Sequence, residues 1–115
     1  MYIRIEKQII RYRISRQEAN RLIEGEELLE TTHLSDDYSL TYGVKTTGGL
    51  TGFSFNSKDG AGNTLSVTVN KQQLLSEIEG RPSKQGIAIA TKGGKQALSV
   101  YLAVNLKIKL LKTKQ

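Results

Sequence analysis

Ser15-Arg16-Gln17-Glu18-Ala19-Asn20-Arg21-Leu22-Ile23-Glu24-Gly25 is matched later in the chain by Asn70-Lys71-Gln72-Gln73-Leu74-Leu75-Ser76-Glu77-Ile78-Glu79-Gly80. At an offset of 55, Gln17/Gln72, Ile23/Ile78, Glu24/Glu79 and Gly25/Gly80 coincide, and Ser15/Asn70 and Arg16/Lys71 are chemically alike. The preceding alternation matches too, with Ile10, Tyr12 and Ile14 falling on Leu65, Val67 and Val69. This is the pattern of one unit used twice, over about 1–46 and 51–110. A repeat constrains a fold strongly and its chemistry hardly at all.

Each copy carries its own punctuation. Ser15 is placed to cap a helix, and Glu18 three residues on completes a capping box. Ala19, Leu22 and Ile23 form an apolar stripe, and Gly25 supplies the left-handed residue that ends the helix. In the second copy Asn70 is the cap and Gln73 its partner. Leu74, Leu75 and Ile78 form the stripe, and Gly80 is the stop. Residues 2–5 and 9–15 read as strands with Lys7-Gln8 near the tip of a hairpin. Ile10, Tyr12 and Ile14 alternate with Arg11, Arg13 and Ser15, so the arginines share one face and the apolar residues the other. Further strands are expected at 28–34, 38–46, 51–56, 64–70, 86–91 and 96–110. Lys92-Gly93-Gly94-Lys95 gives a hairpin signal before the last of them.

The expected fold is therefore α+β: one domain, 1–115, of two related β-β-α-β-β halves. Mainly antiparallel sheets would pack with two short helices about a pseudo-twofold axis. A chain of 115 residues can bury a core without staples. It has no Cys, which excludes disulfides, thiolate metal sites and cysteine nucleophiles and fits a cytoplasmic protein. No apolar run has signal-peptide or membrane-span length, so no membrane partner is expected.

The net charge of +6 is unevenly placed. Residues 1–16 hold Arg4, Lys7, Arg11, Arg13 and Arg16 against Glu6, and 105–115 hold Lys107, Lys109, Lys112 and Lys114 with no acid. Residues 17–37 carry Glu18, Glu24, Glu26, Glu27, Glu30, Asp36 and Asp37 against Arg21. A basic surface beside an acidic one fits nucleic acid, another acidic partner, or a second copy of the chain. Leu98, Val100, Leu102, Val104, Leu106, Ile108 and Leu110 alternate without a break. A strand that long exceeds the usual five or six residues. Either it bends and serves two parts of the sheet, or its far end is covered by a second chain; an uncovered apolar edge would aggregate, so a homodimer through this strand is expected.

The start of the chain resembles a family of small, uncharacterised bacterial proteins. The resemblance lies in Ile3-Arg4-Ile5, Ile10-Arg11-Tyr12-Arg13-Ile14-Ser15, Glu18 with Arg21-Leu22, Glu30-Thr31-Thr32 and Leu40-Thr41-Tyr42. It covers about the first 45 residues in sequence and the rest in layout. Members usually carry Gly-Asn at the first hairpin tip, where this chain has Lys7-Gln8, and usually end soon after the last strand, where this chain runs on through Lys107–Gln115. The resemblance implies a compact α+β domain. It brings no activity, cofactor or catalytic residue.

The candidate chemistry is thin. His33 is the only histidine, and a metal or catalytic role would need partners; a strand histidine is the plainer reading. Asp36-Asp37 and Asp59 sit where Asp serves turns, and the run from Asp59 to Asn63 lacks the spaced acids of a calcium loop. No phosphate-loop motif is present; the glycine pairs fall between strands. Gly52-Phe53-Ser54-Phe55 faintly echoes an RNA-recognition strand, but core packing of Phe53 and Phe55 is the better reading. Arg4, Arg11 and Arg13 should project from one side of the first hairpin, with Lys107 and Lys109 nearby, as a nucleic-acid or phosphate-binding face. The plain alternative is a solvated sheet face that blocks edge aggregation, or one that pairs with Glu26, Glu27 and Glu30. No catalytic, cofactor or metal residue is assigned. The expectation is a non-catalytic binding or structural module that self-associates.

Overall fold

The computed structural model describes residues 1–58, 62–80, 86–91 and 97–105. Its order is β1 (Tyr2–Glu6), β2 (Ile9–Ser15), α1 (Arg16–Ile23), β3 (Leu28–Ser35), β4 (Tyr38–Thr47), β5 (Gly52–Lys58), β6 (Gly62–Asn70), α2 (Lys71–Glu79), β7 (Ile87–Ile89) and β8 (Ser99–Asn105). This is the expected α+β chain of two β-β-α-β-β halves. Within each β-β unit (β1 with β2, β3 with β4, β5 with β6, β7 with β8) the strands pair antiparallel, as their alternating patterns predict.

The sheets are not built one from each half. One sheet, here called A, has the order β1-β2-β8-β7, and the other, B, has β3-β4-β6-β5. Each half gives its first pair of strands to one sheet and its last pair to the other. The centre of each sheet is consequently a parallel pair, with Tyr12 beside Leu102 in A and Val44 beside Val67 in B. Each helix carries the chain from one sheet to the other, and the two helices touch. Ala19, Leu22, Leu74 and Ile78 are their buried residues.

The first helix obeys its local signals fully. The Ser15 hydroxyl accepts from the Glu18 N–H (3.1 Å), and the Glu18 carboxylate accepts from the Ser15 N–H (2.9 Å). Gly25, at φ +101, lets its N–H reach the Leu22 carbonyl while the Glu26 N–H reaches that of Arg21. That is the expected left-handed stop. Part-burial pushes the Glu18 carboxyl up, but hydrogen bonds from the Met1 amino group and Ser15 outweigh it and hold the group below its usual range.

The second helix departs from the expectation in two places. Asn70 caps it, accepting from the Gln73 N–H (3.1 Å). The Gln73 side chain does not return the bond. It accepts instead from the Thr51 hydroxyl (2.6 Å), whose oxygen takes the Asn70 N–H (2.8 Å). A tertiary neighbour has replaced half of the box. Gly80 is extended (φ −95, ψ −152) rather than left-handed. Glycine fits there for another reason: a Cβ would stand 2.8 Å from the Ser76 carbonyl oxygen.

The core lies between the sheets. Ile10, Tyr12, Ile14, Val100, Leu102, Val104, Ile87 and Ile89 face in from A, and Val44, Tyr42, Leu65, Val67, Val69 and Leu28 from B. Tyr12 joins the two layers: its fully buried hydroxyl donates to the Leu65 carbonyl (3.0 Å). Burial, with Tyr42 nearby, pushes its phenol well above the usual value of 10.0. The unfolded chain ionises near that value while the folded chain holds the proton. Stability is therefore full below pH 10 and falls as pH rises past it, by about 1.4 kcal/mol per unit. Titration of phenolate absorbance, compared with Tyr12→Phe, should find Tyr12 ionising only with unfolding.

One expectation about the core needs correction. Phe53 packs against it, but Phe55, on the edge strand β5, is 54% exposed although its row-mates Leu65 and Tyr42 are buried. The last strand, Ser99–Asn105, is interior, paired with β2 on one side and β7 on the other. The β2 side is paired along its whole length, whereas β7 pairs only with Val100–Leu102. Residues 106–110, the rest of the expected strand, lie outside the described part, as do Lys92-Gly93-Gly94-Lys95, Asp59 and Lys112–Gln115. The expected strand at 86–91 is regular only over Ile87–Ile89.

The first hairpin turns at Lys7, which has φ +56 without being glycine. A left-handed residue with a Cβ costs roughly 1–2 kcal/mol, part of which glycine's own entropy returns. Lys7→Gly should therefore stabilise the chain by about 1 kcal/mol, read as a raised urea midpoint with an unchanged slope.

Candidate binding face

Arg4 stands directly opposite Arg11 across β1 and β2, and Arg13 opposite Tyr2. Partners on adjacent strands share a face. Their inward neighbours Tyr12 and Ile14 are buried, so the arginines lie on the outer face of sheet A, as their alternation predicts. The parallel neighbour β8 sets Tyr101 beside Arg11 and Ala103 beside Arg13. The Arg11 guanidinium lies over the Tyr101 ring, 5.1 Å from its centroid. This contact anchors a long cation on an aromatic plane while leaving its edge donors free of the ring.

Three like charges on two strands repel, and a directly opposed Arg pair is unfavourable to folding. Only part of this is offset. Arg4 lies 3.7 Å from Glu6, both well exposed, a pair worth little. Glu26 pairs with Arg21 (2.9 Å), and Glu30 lies 3.8 Å from the Met1 amino group. Glu26 and Glu30 thus meet Arg21 and the Met1 amino group rather than the arginine face, which leaves the solvated, edge-guarding face as the plain alternative. Lys107 and Lys109 lie outside the described residues.

The outer face of sheet B has different chemistry at the matching places. Ser66 and Thr68 of β6 stand where Arg11 and Arg13 stand in β2, counted from Asn70 and Ser15. Around them are Thr41, Gly43 and Lys45 of β4 and Ser54 and Asn56 of β5. A small polar hollow of about 160 Å³ opens over Gly43, bounded by Glu27, Lys45, Ser54, Asn56 and Ser66. A cleft of about 390 Å³ lies along β5, between Phe53 and Phe55 on one side and Thr91 and Leu98 on the other. The Phe53 N–H donates to the Ala90 carbonyl at one end of it (3.1 Å). The pattern of alternating phenylalanines marked β5 but not the cleft, which depends on the end of β7.

His33 is exposed on β3, on the face that carries Leu29 and Thr31. Asp36-Asp37 form the turn between β3 and β4. Among the described residues, no group of three His, Asp or Glu side chains could hold a metal ion. Among the described residues, no helix is long and apolar enough to cross a membrane.

No curated protein and no solved structure matches the chain. One family model does: the family of unknown function DUF7009, matched over residues 1–112, so the chain belongs to that family.

Proposed function

We propose that this protein is a non-catalytic binding and structural module that self-associates, and that the outer face of sheet A takes the phosphates of a nucleic-acid strand. The observation that carries the second part is the contrast between the two sheets. The fold requires no arginines at these positions, since sheet B places Ser66 and Thr68 in the same strand positions. Sheet A places Arg4, Arg11 and Arg13 together, bears their repulsion, and sets Tyr101 beneath Arg11. Guanidinium groups grip phosphate oxygens, and exposed rings such as Tyr2 stack on bases. A single domain over 1–115, built by internal duplication, accounts for the matched caps at Ser15 and Asn70 and for the exchange of strand pairs between halves.

The test is anisotropy of a labelled mixed-sequence oligonucleotide across a salt series. Each arginine on a phosphate contributes about 0.7 to the slope of log affinity against log salt for a single strand, and about 0.9 for a duplex. Arg11→Ala should weaken binding for all sequences alike and lower the slope by about that amount. Arg21→Ala, on α1, should leave the slope alone. Absence of binding at low salt, or binding indifferent to both salt and Arg11, defeats the nucleic-acid reading.

A further inference from the structure

Four strands form the sheet edges: β1 and β7 in A, β3 and β5 in B. Proteins protect such edges with charge, shortness or cover. The β7 strand has three residues. The β5 strand is met by Ala90 through the Phe53 N–H. The five residues of β1 include Arg4 and Glu6. The remaining edge, β3, is eight residues long and exposed beyond Leu28. It contains no Lys, Arg or Pro, and Glu30 is its only charge. Leu29 and Leu34 are 56% and 61% exposed on it.

We infer that β3 pairs antiparallel with β3 of a second copy, joining two B sheets into one. This gives the self-association proposed above a surface, and it rests on that part of the reading alone. The occupant follows from the strand's symmetry. In a continuous sheet, paired residues must lie on the same face, so the twofold axis passes through a residue. The pairing of β3 with β4 is regular only from Leu28 to His33, where an irregularity begins. An axis at Glu30 sets two like charges directly opposite, which is unfavourable. An axis at Thr32 runs into the irregularity after a single pair on either side. An axis at Thr31 keeps the five residues Leu29–His33 within the regular stretch. It sets Thr31 opposite Thr31, Glu30 opposite Thr32, and Leu29 opposite His33. Glu30 then faces a hydroxyl, and the exposed Leu29 gains a ring as neighbour.

The chain has no cysteine, so single thiols report the register cleanly. The experiment is sedimentation of the full chain over a concentration series, with air oxidation of Thr31→Cys and Leu29→Cys. All three residues to be changed (Thr31, Leu29 and, below, Leu34) are exposed, so the variants should fold. In the inferred register the two Thr31 Cα atoms lie about 4.5–5.5 Å apart, within disulfide reach. The two Leu29 residues are offset by four positions, about 14 Å, beyond it. We expect a dimer that grows with concentration, a covalent dimer from Thr31→Cys and none from Leu29→Cys. Thr31→Lys with Leu34→Lys should be monomeric. A monomer at every concentration overturns both this surface and self-association. A dimer in which Thr31→Cys fails to cross-link, or Leu29→Cys cross-links equally, overturns the surface and leaves self-association standing.

Discussion

Tyr12→Ala should lower the unfolding free energy by about 3–5 kcal/mol, the cost of removing a large aromatic ring from a packed core. Tyr12 is fully buried on β2 and crosses from one sheet to the other, where its hydroxyl meets the Leu65 carbonyl. Truncation removes the ring from between Ile3 and Leu102 of its own sheet and breaks the only described side-chain hydrogen bond joining the centres of the two sheets. Domains of this size carry about 5–15 kcal/mol in all, so the loss is a large part of the total. Tyr12→Phe separates the two contributions. It keeps the ring and leaves the Leu65 carbonyl without that donor, at about 1 kcal/mol. Urea titration of both variants, with equal slopes, is the measurement. If the two variants lose the same amount, the hydrogen bond rather than the ring holds the layers together.

Gly86→Ala should destabilise by about 3 kcal/mol or more. Gly86 enters β7 at φ +93, a conformation that costs a residue with a Cβ roughly 1–2 kcal/mol. A Cβ there would also overlap the Leu102 carbonyl oxygen and stand 2.8 Å from the Ala103 Cα, all of it backbone. Backbone of a central strand cannot swing aside as a side-chain tip can, and overpacking of this kind costs about 1–3 kcal/mol more. Gly48→Ala is the control: nothing lies within 4 Å of a Cβ at that position. It should change stability by no more than about 0.5 kcal/mol. Thermal or urea unfolding of the pair decides the matter; equal midpoints would mean that β7 can shift off β8 freely.

The arginine face was legible in the sequence because a period of two reports faces directly. Arg11 and Arg13 alternate with Ile10, Tyr12 and Ile14, and Arg4 joins them through a tight hairpin. The Tyr101 platform was not legible, because it comes from a strand about ninety residues away in the chain. The same limit explains Phe55. Its alternation with Phe53 shows which face it takes, but not that its strand lies at the edge of sheet B, where Phe55 is left exposed while Leu65 beside it is buried. Gln73 shows the limit in miniature: its spacing from Asn70 is right for a capping box, yet Thr51, just before β5, takes the bond.

The sequence by itself determined the elements, the caps of the first helix, the Asn70 cap of the second, and the inner and outer faces of the strands. These depend on contacts within a few residues: Ser15 with Glu18, Gly25 with Leu22, Ile10 with Ile5 across one turn. Tertiary structure alone decided which strand pairs would share a sheet. Every pair of strands offers an apolar face and two edges of much the same kind, so local pattern does not choose among them. β2 came to lie beside β8 and β4 beside β6 because each helix carries the chain across to the opposite sheet, and the two apolar faces then close against one another over Tyr12.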